Sequence, residues 1–243
     1  MKNLFEKTYK NFLVIDIETA SAYERYEDMD ERLQSLWNKK SVHMPGADDY
    51  PPDQLYFEKA GIYAEFGKVI CISAGVFTMD ENHKPGLRIK SFASESEQEI
   101  LENFKTLIES KFEAKNLRMV AHNGREFDFP YLCRRMLVHG MAIPEALDLR
   151  DKKPWEICHI DTLEMWKFGD RKNFTSLDLL ASLFGISSSK DDIDGSQVNK
   201  VYYKEKNLER ISQYCQKDVM VTAQVFLKLN AMQPIDINNI SYL

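Results

Sequence analysis

Phe12-Leu13-Val14-Ile15-Asp16-Ile17-Glu18-Thr19 is the stretch on which the fold turns. From Phe12 to Ile17 it is apolar and β-branched with no helical period, so it reads as a strand buried on both faces. Side chains two apart on a strand leave the same face, so Asp16 and Glu18 project side by side. Two acids on an apolar strand are costly to bury without a partner, and each raises the pKa of the other. A divalent cation relieves both effects, and hard oxygen ligands suit Mg²⁺ or Mn²⁺. Read alone, the pair is equally a strand end whose acids point into solvent.

Outward from this strand, the spacing predicts further elements. Lys68 to Met79 and Leu87 to Ala93 read as strands two and three, joined by a turn at Asn82, Lys84, Pro85 and Gly86. Ser94-Glu95-Ser96-Glu97 opens a helix whose apolar positions are Ile100, Leu101, Phe104, Leu107 and Ile108. Arg118 to His122 is a fourth strand and Ile157 to Asp161 a fifth. Phe129 to His139 reads as a helix with Leu132, Met136 and Leu137 as its stripe. Helices are also predicted over 24–40, over Thr175 to Phe184, ended by Gly185, and over Leu208 to Leu229. Pro45, Gly46, Pro51 and Pro52 mark a loop, and Ser187 to Gly195 a polar one. The expected fold is α/β, a mixed five-stranded sheet flanked by helices, with strands one to three antiparallel and the later ones parallel. One domain over 1–230 is expected, with a tail over 231–243.

The chain has 243 residues, 44% of them hydrophobic, enough for a sizeable core. No apolar run approaches a membrane span, and the first ten residues do not read as a signal peptide. Cys71, Cys133, Cys158 and Cys215 form no C-x-x-C pair, which argues against zinc and for reduced thiols in a cytoplasmic protein. The formal net charge of −6 is concentrated in 21–65, where ten acids stand against five bases. This acidic insertion is expected to be a lid or a docking arm for a protein partner. Net charge therefore says little about a nucleic-acid partner, and local bases such as Arg134, Arg135, Lys167, Arg171 and Lys172 matter more.

Two more clusters carry chemistry. Asp128 closes Asn123-Gly124-Arg125-Glu126-Phe127-Asp128 where a strand gives way to a helix. Alone it reads as a helix N-cap. Tyr214 and Asp218 stand four apart on the last helix and share a face. Taken together, Asp16-x-Glu18, Asn123-x-x-x-Phe127-Asp128 and Tyr214-x-x-x-Asp218 resemble the three motifs of the DEDDy branch of DnaQ-like 3′→5′ exonucleases, in the family's order. The resemblance spans roughly residues 10–230. It is nearest to stand-alone exonucleases related to the proofreading domain of family B DNA polymerases, through Ala60 to Lys68 and Ser189 to Ser196.

The resemblance implies a ribonuclease-H-like sheet and a metal-dependent 3′→5′ exonuclease that releases nucleoside 5′-monophosphates, with single-stranded DNA as the preferred substrate. It implies that Asp16, Glu18, Asp128 and Asp218 hold two divalent cations, Mg²⁺ or Mn²⁺, which lower the pKa of the attacking water and stabilise charge on the reacting oxygens. Tyr214 is expected to orient that water, since a phenol is a poor base at neutral pH. Thr19, Asn123, Phe127 and Lys190 are candidate substrate contacts, and core packing is an equal reading of Phe127. Asp161 reads as support for the site. An exoribonuclease is the alternative, because discrimination by the 2′-OH is not written in these motifs. A non-catalytic nucleic-acid-binding or polymerase-associated module is a further alternative, but it would be expected to have lost ligands that this chain keeps.

Overall fold

The computed structural model describes residues 5, 8–81, 84–170, 172, 174–187 and 193–243. Its centre is β1 (Phe12–Ser21), whose side chains alternate between two cores. Leu13, Ile15 and Ile17 point to one face. There they meet Ile100, Leu101, Phe104 and Ile108 of a helix over Glu97–Lys111, and Phe129, Leu132 and Met136 of a helix over Asp128–Val138. Val14 points the other way, onto Val219, Val221 and Phe226 of the long helix Leu208–Leu229. By the same alternation Asp16 and Glu18 share the face of Val14. The register of β1 thus aims both acids at the helix that carries Tyr214 and Asp218.

β2 (Gly67–Met79) runs antiparallel to β1, with Glu18 opposite Cys71 and Asp16 opposite Ser73. β2 pairs antiparallel with β3 (Pro85–Ala93), while β4 (Arg118–Ala121) and β5 (Ile160–Asp161) are parallel to β1 and to each other. The predicted directions therefore hold. The strand count does not. A sixth strand, β6 (Ile240–Tyr242), pairs with β3, giving the order β5-β4-β1-β2-β3-β6. The expected five-stranded sheet with a free tail over 231–243 is corrected accordingly. Those last residues cover the outer edge of β3, a row of backbone groups otherwise left unpaired.

In chain order the α-helices of six residues or more among the described residues are α1 (Glu31–Ser41), α2 (Pro52–Lys59), α3 (Glu97–Lys111), α4 (Asp128–Val138), α5 (Thr162–Lys167), α6 (Leu177–Phe184) and α7 (Leu208–Leu229). α2 lies where a loop was expected. Pro52 is its first residue, a position where the missing N–H costs nothing. α7 lies close against the sheet because β2 offers Gly75 beneath it. A Cβ there would come within 2.8 Å of Val219 Cγ1. No helix among the described residues is long and apolar enough to cross a membrane.

The acidic insertion is a packed subdomain. Trp37 of α1, expected on an exposed helix, is fully buried among Tyr56 and Phe66, with ring centroids 5.3 and 5.1 Å away. Its indole N–H donates to Pro52 O at 2.7 Å. A second set of contacts ties the insertion to the segment just before α7. Asn199 Oδ1 accepts from Ser21 N, Asn199 Nδ2 donates to Phe57 O, and Tyr203 OH donates to Ser21 O, at 2.9, 2.7 and 2.7 Å.

Candidate metal centre

Each candidate ligand owes its position to a different local rule. Asp16 and Glu18 follow the pleat of β1. Asp128 is the first residue of α4, and the turn before it is built with little freedom. Asn123 adopts a left-handed φ of 62°, which asparagine tolerates better than most residues. Its carbonyl accepts from Glu126 N and Phe127 N. A Cβ on Gly124 would come within 2.4 Å of Ala121 Cβ, so glycine alone fits there. Asp161, at the end of β5, accepts from Asn123 N (2.9 Å) and Arg125 N (3.1 Å), and it caps α5 through Leu163 N and Glu164 N. This carboxylate is the support that the sequence suggested.

The carboxylates converge. One oxygen each of Asp16 and Glu18 and the Sγ of Cys215 all lie within 4.8 Å of one another. Asp128 takes the N–H of Ile17 on its carboxylate, past the last β1–β4 pair at Val14–Val120. Tyr214 hydrogen-bonds Asp218 through its side chain. Glu18 and Asp128 are only 7% and 4% exposed.

Burial dominates the electrostatics. It raises Asp16 well above the usual carboxylate range, and Asp218 and Asp128 add to the rise. Glu18 is raised by burial and then by Asp16 and Asp218. Asp128 is pushed up to about 7, again chiefly by burial. Tyr214 is raised by burial and by the charges of Glu18, Asp218 and Asp16, so its phenol keeps its proton. No salt bridge to a described cationic side chain relieves Asp16, Glu18 or Asp128. A set of buried, mutually repelling oxygens is what a divalent cation would satisfy, so the residues present fit such a group.

The other sequence candidates divide. Thr19 is half-buried beside a bulge between Glu18 and Thr19, and its hydroxyl bonds Tyr131 OH, which in turn donates to Gly61 O at 2.8 Å. Phe127 is half-buried, its ring 5.3 Å from that of Tyr131, so packing accounts for much of it. Lys190 lies outside the described residues. Sequence reasoning missed Cys215, whose Sγ is 3.3 Å from both the main-chain O and Oδ2 of Asp16. Its thiol also hydrogen-bonds Cys71, and burial raises it well above the ordinary thiol range. The signal available was that Cys71 stands on β2 and Cys215 follows Tyr214, but only the β1–β2 register brings them together. His122 was also missed. Burial lowers its pKa, and it bonds Thr162 Oγ1 and Thr175 O at 2.9 and 3.0 Å.

Comparison with known proteins bears on the family and the fold. Residues 62–241 match the family model of a predicted 3′-5′ exonuclease related to the exonuclease domain of PolB. The match includes Asp128, Tyr214 and Asp218 and begins after Asp16 and Glu18. No curated protein matches the chain. Among solved structures, the family B DNA polymerase from the hyperthermophilic archaeon Pyrobaculum calidifontis is similar, with a TM-score of 0.54 at 14% identity. The alignment covers 92% of this chain and 26% of the polymerase, so the chain spans about a quarter of that protein's length. At that identity the likeness is one of fold, a ribonuclease-H-like sheet flanked by helices.

Proposed function

The chain belongs to the family of predicted 3′→5′ exonucleases related to the exonuclease domain of PolB, and from that premise we propose that it is a two-metal nuclease releasing nucleoside 5′-monophosphates from the 3′ ends of single-stranded DNA. One observation carries this reading: acids from three separate elements, β1, the start of α4 and the middle of α7, meet in a buried cluster, where burial raises Asp16, Glu18 and Asp128 and the charge of Asp218 adds to each rise.

Asp16, Glu18, Asp128 and Asp218 would hold two divalent ions, Mg²⁺ or Mn²⁺. When bound, such ions supply Lewis acidity to the attacking water and to the leaving 3′-oxygen. The remaining work falls to the chain itself. Tyr214 keeps its proton, so it orients the water by hydrogen bonding and does not act as the base. The attacking water would give up a proton to solvent as its oxygen bonds to phosphorus, the P–O3′ bond would break, and the departing 3′-oxygen would take a proton back from solvent. Thr19, whose hydroxyl bonds Tyr131, and Asn123, at the turn before Asp128, would contact the terminal nucleotide.

The test is a gel of 5′-labelled single-stranded DNA and matched RNA incubated with Mg²⁺ or Mn²⁺. A descending ladder is expected on DNA, lost with EDTA and in Asp16→Ala and Asp218→Ala. Unchanged turnover in either folded variant refutes the site, and a ladder on RNA alone makes the protein an exoribonuclease.

A further inference from the structure

Two aromatic rings stand out of the surface between α5 and α6. Phe168 is 88% exposed and Phe174 is 69% exposed. Phe168 ends α5 with a left-handed φ of 45°, where glycine or asparagine is the usual residue. Neither its ring nor its backbone helps the core, so the fold gives no reason for a phenylalanine at this position.

The segment carrying both rings is clamped to the Asn123–Asp128 turn by one imidazole. His122 Nε2–H donates to Thr175 O, adjoining Phe174. His122 Nδ1 bonds the hydroxyl of Thr162, the first residue of α5. α5 has six residues and spans roughly 9 Å at about 1.5 Å per residue. Phe168 therefore stands about one short helix from the turn that presents Asp128, and Phe174 stands one residue from its clamp.

The charge of this segment opposes that of the whole protein. Lys167-Phe168-Gly169-Asp170-Arg171-Lys172-Asn173-Phe174 holds three bases and one acid in a chain of net charge −6. Lys172 is exposed. Arg171 and Asn173 lie outside the described residues. Lys167 is paired with Glu164 at 2.6 Å, which leaves Lys172 as the described exposed cation between the two rings. Exposed aromatic faces with a lysine between them, on a segment tied to the turn before Asp128, match a single strand with its bases unstacked.

We propose that Phe168 and Phe174 are a stacking platform for bases a few nucleotides upstream of the 3′ end, with Lys172 beside the backbone. The choice of a nucleic-acid strand and its direction rest on the nuclease reading, whereas the exposure of the two rings is a property of the fold. Every base presents a π-face, so the platform grips single strands without regard to sequence and leaves a duplex, whose bases are already stacked, unengaged.

The experiment measures binding of a fluorescent single-stranded decamer by anisotropy in EDTA, where no cleavage occurs. Phe168→Ala/Phe174→Ala is expected to weaken binding by roughly tenfold or more, a range typical of lost base stacking. Phe168→Leu/Phe174→Leu, which keeps apolar bulk without a flat ring, should weaken it comparably. Abasic nucleotides a few positions from the 3′ end should weaken binding to the wild-type protein and cost nothing further in the double variant. The proposal is overturned if wild-type protein does not bind the decamer, if the variants bind as wild type, or if the abasic penalty is undiminished. It is equally overturned if the substitutions change only self-association in sedimentation, which would make the rings a protein contact. Because wild-type cleavage is scored separately on the gel, failure here leaves the nuclease reading standing.

Discussion

Replacing Asp128 by asparagine is expected to destroy activity and yet stabilise the metal-free protein. The carboxyl is 4% exposed, and its pKa is pushed from 3.8 up to about 7. A raised pKa means that the folded state holds its proton more tightly than the unfolded chain. Stability is therefore intact below the unfolded pKa and is lost as pH rises through the folded one. At about 1.4 kcal/mol per unit, a shift of roughly three units costs about 4 kcal/mol once the group is fully ionised. Near pH 5 the cost is about 2 kcal/mol, because the unfolded chain is then largely ionised while the folded carboxyl still holds its proton. The amide introduced by Asp128→Asn cannot ionise, and its oxygen can still accept from Ile17 N. Urea unfolding in EDTA should therefore find Asp128→Asn ahead of wild type by about 2 kcal/mol near pH 5 and by about 4 near pH 8. Saturating Mn²⁺ should shrink or reverse the gap, since the wild-type site gains a ligand that the variant binds poorly. An advantage that is absent at pH 8, or that does not grow with pH, would refute the claim that this carboxylate is held desolvated.

Other consequences follow from the same geometry. Mg²⁺ or Mn²⁺ at about a hundred times its Kd should stabilise the wild-type protein by about 2.7 kcal/mol, or a Tm rise of roughly 5–11 °C. Asp16→Ala should show no such rise in a thermal scan. Tyr214→Phe should slow turnover by about 10–100-fold without removing the alkaline limb of the pH–rate profile, because the phenol does not titrate in the working range. Arg135→Ala should cost about 3–5 kcal/mol in urea unfolding. It takes from Glu97 its guanidinium partner, Nη2 at 2.6 Å, and leaves this core carboxylate with only Val69 N and His139 Nε2, each at 2.7 Å. Glu97→Gln/Arg135→Met should recover much of that loss.

How far the sequence was legible follows from the range of the interactions involved. Asp16 and Glu18 sharing a face, and Tyr214 and Asp218 sharing another, are properties of one pleat and one helical turn, and both could be read directly. α7 begins and ends where its periodicity does, at Leu208 and Leu229. β6 was not legible, because Ile240-Ser241-Tyr242 is too short to show a pattern and becomes a strand only by finding the edge of β3. α2 was hidden by Pro51 and Pro52, which mark a loop unless the second is placed at a helix start. Trp37 looked exposed because its neighbours in sequence are charged, while its partners Tyr56 and Phe66 lie on later elements. The Cys215–Asp16 contact and the His122–Thr175 clamp join residues 199 and 53 positions apart, and no local pattern encodes such pairings.

The turn before Asp128 also sets how the protein ages. Asn123 is followed by Gly124, the pair most prone to deamidation: the glycine nitrogen attacks the side-chain carbonyl, ammonia leaves, and water reopens the ring to aspartate or isoaspartate. Asp161 holds the N–H groups on either side, those of Asn123 and Arg125, and fixing both peptides should slow that attack. Isoaspartate would lengthen the main chain between β4 and α4, in a turn already too tight for any Cβ at Gly124. Asp161 is therefore a chemical preservative as well as a support, and its loss should shorten the active lifetime of stored protein.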